Sequence, residues 1–151
     1  MKMRYNIAMK ILAFFITCTL ALYGAHIDDF ASETGYARDY NTSLSKALKQ
    51  DRLIMLVVVA DYCPWCRKME RKTLKAQSVA KKVTSNFVPM IVDRNRDKAH
   101  YPKMYDTPRI PTIFFINPHT QEHLYESIAY VKEDEFLQTL DDVLKMYKNS
   151  K

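Results

Sequence analysis

Leu53-Ile54-Met55-Leu56-Val57-Val58-Val59-Ala60-Asp61-Tyr62-Cys63-Pro64-Trp65-Cys66 is the stretch on which the reading of this chain turns. Its first eight residues are apolar without interruption and rich in β-branched side chains. A half-solvated strand alternates polar and apolar residues; a strand buried on both faces does not. Leu53–Ala60 is therefore expected at the centre of a sheet with helices on each side. Cys63 to Lys75 follows as a helix, with Pro64 tolerated in the first turn because no intrahelical acceptor waits for its missing N–H. A Cys-Pro-Trp-Cys tetrapeptide thus stands where a buried strand gives way to a helix.

That place has chemical consequences. The first N–H groups of a helix are unpaired, and the helix dipole is positive at that end. An anion is favoured there, so Cys63 is expected to be stabilised as a thiolate. Arg67, Lys68, Arg71 and Lys72 add positive potential. Three positions along a helix bring Cys66 within reach of Cys63. Attack by Cys63 on a disulfide would give a mixed disulfide, which Cys66 would then resolve. Two other readings of Cys-x-x-Cys stand beside this one: a purely structural bridge and half of a metal site. His119-x3-His123 has ligand-like spacing, but it lies in a distant turn between two strands, so no metal and no cofactor are expected.

The rest of the chain supplies the outer layers. Tyr36 to Tyr40 reads as a short strand, and Asn41 as the cap of a helix running to about Gln50. Ser78 to Ser85 reads as a second helical piece. Phe87 to Val92 is a strand placed near an edge, because Pro89 removes a ladder donor. His100 to Tyr105 reads as a short helix, Thr112 to Ile116 as a strand, Asn117 to Thr120 as a turn and Leu124 to Tyr130 as a strand. Glu133 to Tyr147 is amphipathic, with Phe136, Leu137, Leu140, Val143, Leu144 and Tyr147 on its apolar face. Arg109-Ile110-Pro111-Thr112 leads into the apolar strand at Thr112.

At the N-terminus, Lys2, Arg4 and Lys10 precede an uncharged run, Ile11 to Tyr23. A spanning helix needs about 20 apolar residues, so the run is short for an anchor. A basic lead, a short apolar core and small residues describe a secretory signal over residues 1–25, cut after Ala25. Tyr23 fits poorly three places before that cut. Retention of residues 5–25 as an anchor and lipid attachment at Cys18 are the alternatives. Residues 26–35 are polar and read as a flexible segment, with the domain at 36–151.

The whole chain has 151 residues, is 48% hydrophobic and 26% charged, and carries a net charge of +6. Those values describe one globular domain and disfavour disorder. Loss of Lys2, Arg4 and Lys10 from the 23 basic residues leaves 20 against 17 acidic ones. No block of like charge then suggests nucleic acid. Gly35 is the one glycine after residue 25, so a Gly-rich phosphate loop is excluded. Three cysteines are too few for a disulfide-stapled scaffold, and Cys63 and Cys66 are the pair that remains when Cys18 is set aside.

Leu56 to Cys66 and Ile110-Pro111-Thr112-Ile113-Phe114-Phe115 together resemble the thioredoxin superfamily from about Tyr36 to Tyr147. Ala60-Asp61-Tyr62-Cys63 and Glu70-Arg71-Lys72-Thr73-Leu74 followed by Val79 are most similar to the C-terminal domain of the DsbD reductant transporter and to SoxW-type periplasmic thioredoxins. The resemblance implies an α/β thioredoxin fold, a central mixed sheet flanked by helices on both faces. It implies Cys63 as the exposed nucleophile, Cys66 as the buried resolving thiol and Pro111 as a cis proline beside them. Only 45 positions separate Cys66 from Pro111, which leaves no room for the helical insertion of DsbA-type oxidases. Departures from the family pattern stand out. Val57 occupies the place of a buried acid six positions before the first cysteine, so proton transfer at Cys66 needs water or another group. Tyr62 replaces a common tryptophan, and Ala129 stands where a glycine usually lets a partner approach.

Cys63, Cys66 and Pro111 are thus assigned to the chemistry, and Trp65, Ile110, Arg109, Tyr62 and Pro64 to partner contact. The expected function is a secreted or periplasmic thiol–disulfide oxidoreductase, a monomer that reduces protein disulfides with electrons from a membrane donor. Membrane contact is expected only through an uncut N-terminal segment. An oxidase of the same fold, and a binding or chaperone module with a structural disulfide, are the competing readings.

Overall fold

The computed structural model describes residues 26–150. The expected signal segment, with Cys18, lies outside the described residues. In chain order the elements are α1 (His26–Thr34), α2 (Tyr40–Gln50), β1 (Leu53–Val59) and α3 (Pro64–Met69), which runs on as a π turn over Glu70–Leu74. Then come α4 (Gln77–Asn86), β2 (Phe87–Asp93), a 3-10 turn at Lys103–Tyr105, β3 (Thr112–Ile116), β4 (His123–Ile128) and α5 (Glu133–Asn149).

The sheet has the order β2-β1-β3-β4. β1 runs parallel to β2 and antiparallel to β3, and β3 is antiparallel to β4, so the sheet is mixed. β1 is an inner strand with all seven residues buried, as its unbroken apolar run requires. Its alternate residues feed two separate cores. Leu53, Met55, Val57 and Val59 pack with residues of α1, α3, α4 and α5, while Ile54, Leu56 and Val58 pack with Tyr40 and Ala47 of α2 and with Tyr101 and Tyr105. Helices therefore cover both faces, an α/β arrangement of the thioredoxin type.

β2 is an edge strand, which resolves the difficulty of Pro89. The Pro89 carbonyl accepts from Ala37 N–H (3.0 Å), on the side away from β1, and Ile91 N–H donates back to Ala37 (2.9 Å). Along a strand, the N and C=O of one residue point the same way, so the nitrogen of Pro89 also faces away from β1. The β1–β2 ladder loses nothing.

Several expectations require correction. Residues 26–35 are not a loose segment: α1 buries Ile27, Phe30 and Ala31 in the core shared with Cys63 and Cys66. The strand expected at Tyr36–Tyr40 is reduced to a single bridge between Ala37 and Met90. Asp39, not Asn41, caps α2 by accepting from Thr42 N–H at 2.8 Å, and this ends the extended backbone early. The helix expected at His100–Tyr105 is only the 3-10 turn. Among the described residues no helix is long and apolar enough to cross a membrane.

Candidate active site

Cys63 and Cys66 form a disulfide at the start of α3, with their Cα atoms 5.3 Å apart. Cys63 is the N-cap: its Sγ accepts from Cys66 N–H at 3.2 Å. A sulfur at this position meets the unpaired N–H groups that favour an anion. Cys63 shows a sliver of surface, 7%, whereas Cys66 shows none. The pair is thus unequal, with a rim sulfur open to attack and a second sulfur behind it. "Exposed" overstates Cys63, because the first turn of α3 and the preceding loop leave only one edge of it accessible.

The preceding loop is fixed from below. Asp61 N–H donates to Asp93 Oδ2 (3.0 Å), and Asn95 and Arg96 N–H donate to Asp93 Oδ1 (2.8 and 3.0 Å). Burial works against an ionised Asp93, but those three N–H groups and the Arg96 charge outweigh it and hold the pKa below the usual carboxylate value. Arg67 completes the clamp from above by donating to the Asp61 carbonyl at 2.7 Å.

Across from the disulfide, the Ile110–Pro111 peptide bond is cis. The Pro111 carbonyl accepts from Ala129 N–H at 2.8 Å, joining the residue before β3 to the residue after β4. Ala129 has φ of 70°, in the left-handed region that glycine adopts freely and alanine does not. Trp65, Ile110, Pro111, Ala129 and Tyr130 line an open groove of about 350 Å³. Trp65 is 57% exposed and its ring lies 6.0 Å from that of Tyr130.

The remaining residues assigned from the sequence fall as follows. Tyr62 and Pro64 are exposed on the rim. Ile110 is half-buried in the groove. The Arg109 guanidinium is directed to Glu126 (3.3 Å) on the surface. His119 and His123 meet different partners: His119 Nε2 lies 3.2 Å from Asp51, while the His123 ring packs on Tyr105 and Phe114.

Glu70 was not foreseen as a site residue. Val57 is fully buried and carries no acid, but Glu70, four residues beyond Cys66, is a carboxylate with 1% exposure. Burial, with the Asp61 charge second, pushes its pKa up to about 7 against the pull of Arg67, Lys75 and Arg71. His26 Nδ1 of α1 lies 3.0 Å from Glu70 Oε2, without the alignment of a hydrogen bond. The signal was available: Cys66, Glu70 and Thr73 share one helical face, and the other two are buried. A charge on such a face is not ordinary surface.

Residues 40–144 match the thioredoxin-like domain family, and the chain belongs to it. Among solved structures, a thioredoxin from Thermus thermophilus superposes with a TM-score of 0.63 at 24% identity, covering 71% of this chain and 85% of that one. The DsbH oxidoreductase gives 0.61 at 19% identity, over 73% and 87% of the two chains. The reduced DsbD C-terminal domain of Neisseria meningitidis gives 0.56 at 21% identity, over 68% and 91%. Comparison with curated proteins gives no match.

Proposed function

We propose that this protein is an exported thiol–disulfide oxidoreductase that reduces disulfides in protein partners. The observation that carries the reading is the unequal cysteine pair: Cys63 caps α3 at the surface, Cys66 is sealed behind it, and an open groove starts at Trp65 between them. In the reduced form the Cys63 thiolate attacks one sulfur of a partner disulfide. The partner's S–S bond breaks, a Cys63–partner bond forms, and the released thiolate takes up a proton. Cys66 then loses its proton and attacks Cys63 Sγ, which expels the partner's second sulfur as a thiolate. Two electrons pass from the Cys63/Cys66 dithiol to the partner, and the disulfide seen here is the product. A separate dithiol donor, expected at the membrane, resets the pair.

Glu70 supplies the titrating group that Val57 cannot. A carboxyl that changes charge near neutral pH, one turn beyond Cys66, suits uptake of the proton that Cys66 must give up. Reduction is favoured over oxidation because Trp65 offers a nascent Cys63 thiolate no positive partner of the kind a histidine would provide. Export follows from the basic and apolar character of residues 1–25.

Cys66→Ala in the full chain is the decisive variant. It is expected to accumulate mixed disulfides through Cys63, visible as dithiothreitol-sensitive bands, whereas Cys63→Ser accumulates none. Full function of Cys63→Ser would overturn the exchange mechanism. A reduction potential well above roughly −200 mV would overturn the direction and make the protein an oxidase.

A further inference from the structure

Lys68 stands out beside the groove. Its ammonium lies 4.8 Å from the centroid of the Trp65 ring and 4.4 Å from that of Tyr130. Both rings are walls of the groove. Lys75 and Lys82 each pair with a carboxylate, Glu33 and Asp141. Among the described residues Lys68 has no such partner, and two aromatic faces hold it instead. A π face attracts a cation without neutralising its charge, so the ammonium can still meet an anion on the groove rim.

The surrounding charge points the same way. Arg67 donates to the Asp61 carbonyl, a neutral group, and the carboxyl that feels its charge is the buried Glu70. Arg71 and Lys72 are exposed on the same helical stretch. The nearby acids face elsewhere, Glu126 to Arg109 and Asp61 to Arg96. The groove is therefore apolar along its walls and positive at the Trp65–Tyr130 end. Trp65 and Lys68 both belong to the helix that Cys63 caps, so the charge stands on the same element as the attacking sulfur.

We infer that the groove selects extended, disulfide-bearing protein segments with an aspartate or glutamate beside the attacked cysteine. Lys68 reads that carboxylate, oriented by Trp65 and Tyr130. This rests on the exchange reading above and adds a substrate class to it.

The test uses the pre-reduced full chain in single-turnover reactions with three peptide disulfides. The peptides are identical except for Asp, Asn or Lys beside the cysteine. Each rate is divided by the rate of the same peptide with dithiothreitol, which removes the peptide's own reactivity. The normalised rates are expected to fall in the order Asp, Asn, Lys by about threefold per step at low salt, the size of a rim charge contact. High salt compresses the order. Lys68→Met brings Asp and Asn level, and Lys68→Glu places Lys first. Equal rates for all three peptides with the wild-type chain overturn the inference. So does an unchanged order in Lys68→Met, which would assign the preference to the other basic residues. Exchange with none of the peptides would overturn the exchange reading itself, and this inference with it.

Discussion

At the scale of single residues, Ala129 carries a cost that the fold retains. An L-residue in the left-handed region costs roughly 1–2 kcal/mol, and glycine there recovers most of it while adding freedom to the unfolded chain. Ala129→Gly is therefore expected to raise stability by about 0.5 kcal/mol, read as a higher urea midpoint at an unchanged slope. Glu70 makes a second prediction. Its folded pKa of about 7 lies above its ordinary value of 4.5. The folded state thus holds the proton more tightly, so stability falls as pH rises through that window. The full span is worth about 3 kcal/mol, and Glu70→Gln should abolish the decline and leave the chain more stable than wild type at pH 8. A decline of the same depth in Glu70→Gln would show that another group is responsible. Glu70 escaped the sequence reading because burial depends on what packs over a residue. Here that includes α1, which the sequence did not reveal.

At the scale of elements, α1 is the main surprise and the clearest case of illegibility. His26–Thr34 contains three core residues among polar ones, too short a pattern to stand out. Phe30 meets the Tyr36 ring edge-on at 5.2 Å and is 3% exposed. Phe30→Ala is expected to cost about 3 kcal/mol by urea denaturation, whereas a flexible leader would make it nearly silent. β1, β3 and α5 were legible because each has a period that only one environment satisfies. Leu53–Val59 is unbroken, Thr112–Ile116 likewise, and the apolar residues of Glu133–Asn149 recur at helical spacing. The strand at Tyr36–Tyr40 misled because β-prone aromatics do not reveal that Asp39 will cap a helix. The π turn at Glu70–Leu74 left no mark in composition either. The cysteine pair was legible in full, since its place at a strand–helix junction follows from two adjacent and unambiguous patterns. The groove was legible only in part: Trp65, Ile110 and Pro111 were assigned to the site, Ala129 was noticed and Lys68 was read as part of a positive helix, but Tyr130 comes to it through tertiary folding.

At the scale of the whole molecule, the disulfide touches only one of the two cores, and there Cys63 and Cys66 are two among many buried residues. That bridge closes a loop of only a few residues, worth roughly 2 kcal/mol in chain entropy. Reduction is therefore expected to leave circular dichroism unchanged and to lower the urea midpoint only modestly. Collapse of the fold on reduction would instead mark a structural disulfide and favour a binding module over an exchange enzyme.

The bridge at Ala37 has a consequence for how copies of this protein behave toward one another. Open sheet edges are templates on which further chains can pair, and they are the usual starting point of ordered aggregation. One flank of this sheet is closed to such growth. The short extended piece at Ala37 occupies the outward N–H and C=O groups around Pro89, and the proline has no N–H to offer at all. Growth of the sheet past β2 is thereby interrupted. The other edge of the described sheet is β4, where exposed and half-buried residues alternate and Glu126 stands beside Tyr125.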